Sequence, residues 1–141
     1  MKNSANSNVR LRAAALVFKN KKLLLVKQHN NQYFQLPGGG IEKNESVENC
    51  LKREVAEEIS STVKSTSFYG AFISEVDSAG IRHCTLAFLT ELNHKPPMKP
   101  KGEIMKLAWL GLQKPFKLKL SSSTAFFTDK LCTQGCKLNE L

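Results

Sequence analysis

The segment from Pro37 to Ile59 constrains this chain more than any other. Pro37-Gly38-Gly39-Gly40 interrupts regular structure, because proline fixes φ and lacks a backbone donor while glycine admits conformations closed to other residues. A helix pattern follows, with Val47, Leu51, Val55 and Ile59 recurring at every fourth position, the spacing of one apolar stripe on an amphipathic helix. Ser46 stands where an N-cap hydroxyl is wanted. On a wheel of roughly 100° per residue, Glu54, Glu57 and Glu58 are related as i, i+3 and i+4 and project along the edge of that stripe. Glu58 falls nearly in line with Val47 and Leu51, where a buried residue is expected. The fold must therefore pack a helix carrying three carboxylates beside a stretch of bare backbone.

Three like charges so placed raise one another's pKa unless something positive lies between them. A divalent cation resolves the conflict. Oxygen-only ligands, with no His or Cys alongside, point to Mg²⁺ or Mn²⁺ before zinc. The glycines bring carbonyls within reach of such an ion and N–H groups within reach of phosphate oxygens. No Lys-Ser or Lys-Thr follows them at P-loop spacing, and the GxGxxG of a dinucleotide fold is absent. A glycine triplet alone is ordinarily a loop, and a Glu-rich helix alone a solvated face; their joint occurrence at fixed spacing carries the reading.

Charge placement agrees. Residues 42–58 hold six acids against three bases, whereas the rest of the chain holds six acids against eighteen bases, so an island of −3 sits in a body of +12. A basic body attracts phosphates or nucleic acid at long range, although solubility alone accounts for much surface charge. An acidic island set against that trend is a candidate cation site.

At 141 residues the chain fits one domain, expected over 9–141 behind a flexible leader over 1–8. That leader lacks the apolar stretch of a secretion signal, nothing resembles a membrane span, and the cysteines (Cys50, Cys84, Cys132, Cys136) show no CxxC. A reduced, cytoplasmic protein with inert thiols is the expectation. Residues 12–18 and 22–27 read as buried strands joined by a hairpin turn at Lys19-Asn20-Lys21, and 66–76 and 83–92 as a strand pair joined around Gly80. A Pro- and Lys-rich loop from His94 to Gly102 leads to a short strand near 107–110, and Ser121 to Cys132 forms a second helix capped by a serine. This order predicts an α/β fold, a mixed central sheet between helices.

Residues 39–61 resemble the Nudix box, G-x5-E-x7-R-E-U-x-E-E-x-G-U with U apolar. Gly39, Glu45, Arg53, Glu54, Val55, Glu57 and Glu58 all match, and the preceding Leu36-Pro37-Gly38 is also typical of the Nudix hydrolase family. The resemblance extends in kind from about Leu11 to Pro115 and implies the α/β/α sandwich of that family. Two positions depart from it: the closing glycine is Ser60 and the apolar residue after it is Ser61. The glycine serves the left-handed turn that ends the helix, so serine there costs roughly 1 kcal/mol or forces another exit.

The resemblance implies metal-dependent hydrolysis of a diphosphate linkage. Glu54, Glu57 and Glu58 would hold Mg²⁺ or Mn²⁺, assisted by a carbonyl of Gly38 or Gly39, while Arg53 pairs with Glu45 and orients the helix. Gly39 and Gly40 would meet substrate. Glu54 or a distal acid would take the proton of the attacking water, and Glu103, the sole acid in residues 92–128, is the distal candidate, with a plain loop charge as the alternative. Lys27 could meet a phosphate; Arg12 and Arg82 are lesser candidates. Family markers for ADP-ribose, dinucleoside polyphosphates and coenzyme A are missing around Glu75-Val76-Asp77-Ser78 and before the box. A nucleoside triphosphate, modified forms included, leads by elimination, giving a monophosphate and pyrophosphate. An RNA 5′ end is the alternative substrate. A non-catalytic domain that senses a nucleotide or RNA is the rival reading, opposed by the retention of every box glutamate. Monomer and homodimer are both compatible.

Overall fold

A computed structural model of the protein describes residues 8–96, 99 and 101–134. Its central feature is a pair of strands that are apolar on both faces. β1 (Asn8–Leu16) ends in Ala13-Ala14-Ala15-Leu16 and β3 (Lys22–Gln28) contains Leu23-Leu24-Leu25-Val26, all buried. Side chains alternate across a strand, and an uninterrupted apolar run implies cover on both sides. Ala14, Leu16, Leu23 and Leu25 enter one core with Phe127 and Leu131. Ala13, Ala15, Leu24 and Val26 enter another with Leu51, Val55 and Ile59. The first core lies under the second helix, α2 (Ser122–Thr133), the other under α1 (Val47–Ile59), so a sheet layer stands between two helices.

Two sheets make up that layer. Besides β1 and β3, the strands are β2 (Phe18–Lys19), β4 (Gly38–Gly40), β5 (Val63–Ile73), β6 (Ile81–Leu92) and β7 (Ile104–Gly111). One sheet has the order β4-β1-β6-β5, the other β2-β3-β7. β1 runs parallel to β6 and antiparallel to β4, which makes the first sheet mixed.

The expected hairpin between 12–18 and 22–27 is corrected. The chain switches sheets at Val17, and only Phe18 and Lys19 pair back onto β3. Asn20 and Lys21 both take positive φ, 51° and 64°, as a two-residue hairpin turn requires. The glycine segment is also more regular than expected, because Gly38–Gly40 pairs with Ala14, Ala13 and Arg12. β5 and β6 pair antiparallel around Gly80 (φ 79°), and β7 starts three residues before the strand expected near 107. Ser121 caps α2, its hydroxyl accepting from Thr124 N. Asn8 opens β1; residues 1–7 of the expected leader, Pro97, Met98 and Pro100 of the loop, and Cys136 lie outside the described residues. No described helix is long and apolar enough to cross a membrane.

Candidate active site

α1 begins at Ser46, whose hydroxyl accepts from Asn49 N at 3.1 Å, and buries Cys50, Leu51, Val55, Glu58 and Ile59. It ends on Ser60 in the left-handed region, φ 52° and ψ 43°, so the departure from glycine keeps the exit path and accepts the strain. Ser61, where an apolar residue was expected, is buried with its hydroxyl donating to the His94 carbonyl at 2.9 Å. A buried hydroxyl with a partner loses little against a methyl group.

Glu58 is the carboxylate that the helix carries into the protein. Only 7% exposed, it accepts from Gly38 N–H at 3.0 Å. Burial pushes its pKa up to about 8, the neighbouring Glu54 adds to the rise, and Gly38 N–H and Arg12 oppose it. Glu54 lies against the glycine strand: a Cβ at Gly39 would stand 2.5 Å from Glu54 Oε2. At Gly38 (φ 153°) a Cβ would overlap the Ala13 carbonyl oxygen. Only bare backbone can pass between β1 and these carboxylates.

Arg53 organises the outer side. Its Nε donates to Glu45 Oε2 at 2.7 Å and its Nη2 to Glu45 Oε1 at 2.9 Å, a bidentate fork. Its Nη1 donates to Glu54 Oε1 at 2.6 Å, and Nη2 also reaches the Gly40 carbonyl at 3.1 Å. The fork holds the Glu45 carboxyl down at about 2 and raises Arg53 above its ordinary range, so both stay charged. Glu57 is more open, its carboxylate 3.6 Å from Arg53 Nη1. Desolvation pushes the Cys50 thiol up to about 11, which keeps it a neutral packing group.

These groups stand at one end of a cleft of about 1010 Å³. Gly38, Gly39, Gly40, Glu54, Glu57 and Glu58 line it, and so does Glu103, in the turn before β7. Arg12 also faces it, whereas Lys27 and Arg82 do not; their neighbours Gln28 and His83 do. Sequence reading missed Phe72, His83 and Thr85 on the floor and Ser121–Ser123 at the start of α2. Among the described residues no three His, Cys, Asp or Glu side chains converge into a ready coordination sphere. The donor set still suits a hard cation, because Mg²⁺ takes one or two carboxylates and completes its octahedron with water and substrate phosphates.

The family model of the NUDIX domain matches residues 9–130. The chain belongs to the Nudix family. Among curated proteins, this Nudix chain is 39% identical over 62 residues to an ADP-ribose pyrophosphatase of Methanocaldococcus jannaschii. That match covers 42% of the chain and 37% of the relative, so the chain spans little more than a third of the length of the curated relative it matches. Among solved structures it is similar to the MutT NUDIX hydrolase from Burkholderia pseudomallei, with a TM-score of 0.75 at 19% identity over 88% of this chain and 98% of that one. It is similar also to the E. coli ORF135 protein, with a TM-score of 0.76 at 17% identity over 94% of each chain. At such identities these likenesses show the fold, a Nudix fold of mixed sheet and flanking helices.

Proposed function

We propose that this Nudix chain is a pyrophosphohydrolase that splits the diphosphate linkage of a nucleotide-type substrate with the aid of Mg²⁺ or Mn²⁺. One observation carries the reading: a buried carboxylate, Glu58, is held against the Gly38 amide and, with Glu54, lines a nucleotide-sized cleft. A carboxylate kept there at the expense of desolvation is a functional feature, since burial alone would favour an apolar residue.

Glu54, Glu57 and Glu58, with a carbonyl of Gly38 or Gly39, are the groups to hold the ion. When bound, a divalent ion neutralises the diphosphate and lowers the pKa of water. The chain's own residues do the rest. Arg53 fixes the rotamer of Glu54 and, through Glu45, the turn before α1. The backbone of Gly39 and Gly40 lines the cleft, and Gly40, at a position of the β4–β1 ladder that leaves its amide unpaired with β1, is the one to meet a phosphate oxygen. Glu103 also lines the cleft, its backbone fixed by the His29 amide on its carbonyl oxygen at 3.1 Å, and is a candidate to take a proton from the attacking water at a carboxylate oxygen; Glu54 is the other candidate.

A nucleoside triphosphate, converted to monophosphate and pyrophosphate, is the favoured substrate, in the reduced cytoplasmic setting that the sequence suggests. The identity with an ADP-ribose pyrophosphatase favours ADP-ribose as the second reading. A panel of nucleoside triphosphates, ADP-ribose and 5′-triphosphorylated RNA, assayed for phosphate and pyrophosphate release with each metal, tests both. Turnover of none of them would return the chain to the sensing domains.

A further inference from the structure

Along β1 and β6, positive groups continue past the strand position opposite Gly40. On β1, Ala14 and Leu16 face the α2-side core, so by strand alternation Arg12 and Arg10 share that face. β6 runs beside β1 with Ala14 opposite Ala87, Arg12 opposite Thr85 and Arg10 opposite His83. Ala87 belongs to the same core, and Arg12, Thr85 and His83 all line the cleft. The register therefore sets Arg10, exposed near the start of β1, beside His83 and one step beyond Arg12, which faces Glu58.

Asp77, in the turn between β5 and β6, is already engaged. Asp77 Oδ1 accepts from the amides of Ala79 and Ile81, at 2.9 and 3.0 Å, and its Oδ2 lies 3.2 Å from His83 Nε2. That carboxylate shapes the β5–β6 turn and steadies the imidazole, Glu58 partly offsets Arg12, and Arg10 adds a further positive charge beside His83. His83 N–H donates to Ser74 Oγ at 2.9 Å, which adds a fixed hydroxyl beside the row. Gly40, opposite Arg12, marks the diphosphate end. From there to His83 is two strand spacings across and two residues along, on the order of 12 Å by sheet geometry. One nucleotide unit can span that length from its diphosphate to a phosphate on its ribose.

We infer that Arg10, Arg12 and His83 form a second anion subsite, which takes a phosphate carried on the ribose of the substrate nucleotide. This rests on the proposed nucleotide chemistry of the cleft and goes beyond it by naming a second charged group. Two guanidinium groups on one strand face suit a phosphate oxyanion, which each can meet with paired donors. The ribose phosphate could be a monoester in a small nucleotide or the first phosphodiester of an RNA chain.

Binding of reaction products without metal tests the subsite apart from catalysis. A nucleoside 3′,5′-bisphosphate and the matching 5′-monophosphate are titrated against the full chain by calorimetry, and the bisphosphate is expected to bind at least tenfold more tightly. Arg10→Gln and His83→Gln should each bring that ratio down severalfold. Arg82→Gln removes the same charge from the opposite face, one residue from His83, and should leave the ratio intact. A ratio near one in the parent overturns the inference, and so does an equal loss in the Arg82 variant, which would mark a general charge effect. A 5′-phosphorylated dinucleotide distinguishes the sources: binding as tight as the bisphosphate's assigns the phosphodiester, weaker binding the monoester. Turnover of plain nucleoside triphosphates with metal is measured separately, so failure of the hydrolase reading and failure of the subsite are distinct results.

Discussion

Gly39 lies directly against the carboxylate of Glu54, leaving no room for even a methyl group: a Cβ there would stand 2.5 Å from Oε2 and 2.6 Å from Cδ. Gly39 does not have a positive φ, so alanine is acceptable to the backbone and the clash falls on the flexible end of a side chain. Gly39→Ala should therefore fold with less than about 1 kcal/mol lost while turning Glu54 out of place. Its kcat is expected to drop by roughly one to three orders of magnitude. Thermal melts together with steady-state kinetics check this, and near-parental turnover would free Glu54 from any demand on position.

Metal dependence should be absolute. EDTA is expected to abolish turnover, and added Mg²⁺ or Mn²⁺ to restore it, because Arg53 reaches Glu54 and Glu57 and Arg12 acts on Glu58, so neither cation draws the three helix carboxylates together. Turnover that survives thorough chelation rules out the mechanism.

Glu58 gives a stability test with a definite sign. Its folded pKa, about 8, lies above the ordinary value of 4.5, so between those values the folded state binds more protons than the unfolded one. The Glu58 contribution to the stability of the metal-free protein is then most favourable below about 4.5 and is lost as pH rises toward 8. The Glu45 and Asp77 carboxyls are shifted downward and titrate below this window. Urea unfolding in EDTA at pH 5 and pH 8 should show the parent weaker at pH 8, by an amount on the order of a few kcal/mol. Glu58→Gln should be flatter with pH and no less stable, yet inactive with metal, and Glu57→Gln should be inactive with its stability little changed. A steeper fall in Glu58→Gln would contradict the assignment.

Glu103 is the proton acceptor most open to test. Glu103→Gln should lower kcat by roughly two to four orders of magnitude with little change in KM, and the acidic limb of the pH–rate profile should disappear. A variant within about threefold of the parent leaves Glu54 as the base.

Ser60 stores strain that glycine would relieve. Ser60→Gly, at φ 52°, is expected to stabilise the protein by roughly 0.5–1 kcal/mol in urea titration, with kinetics unchanged. A loss of stability would show that Ser60 makes a compensating contact.

The chemistry-bearing half of the site was legible because it is local. Helix periodicity, the Ser46 cap and the spacing from Gly39 to Glu58 all lie within one short stretch, and the structure buries Glu58 as the helical wheel requires. The floor was not legible. His83 and Thr85 reach the cleft only because β6 runs parallel beside β1, some seventy residues earlier in the chain, and no local pattern encodes that pairing. Lys27 illustrates the same limit, since its position at a strand end is readable but the wall it faces is not. The hairpin misread at residues 12–28 has a related cause. Two neighbouring apolar runs look like partners, yet each is covered on both faces and joins a different sheet.

β1 has its own vulnerability. Alternate residues of one strand serve two unrelated customers: Ala13 and Ala15 support the helix that bears the glutamates, while Arg12 lines the cleft with Arg10 on the same strand face. Loss or gain of a single codon within that strand would exchange the two sets, driving a guanidinium beneath α1 and leaving a small apolar residue in the place of Arg12. Substitutions in β1 can be absorbed one at a time, but a frame-preserving insertion or deletion there disables support and floor together. The segment should therefore tolerate changes of letter far better than changes of length.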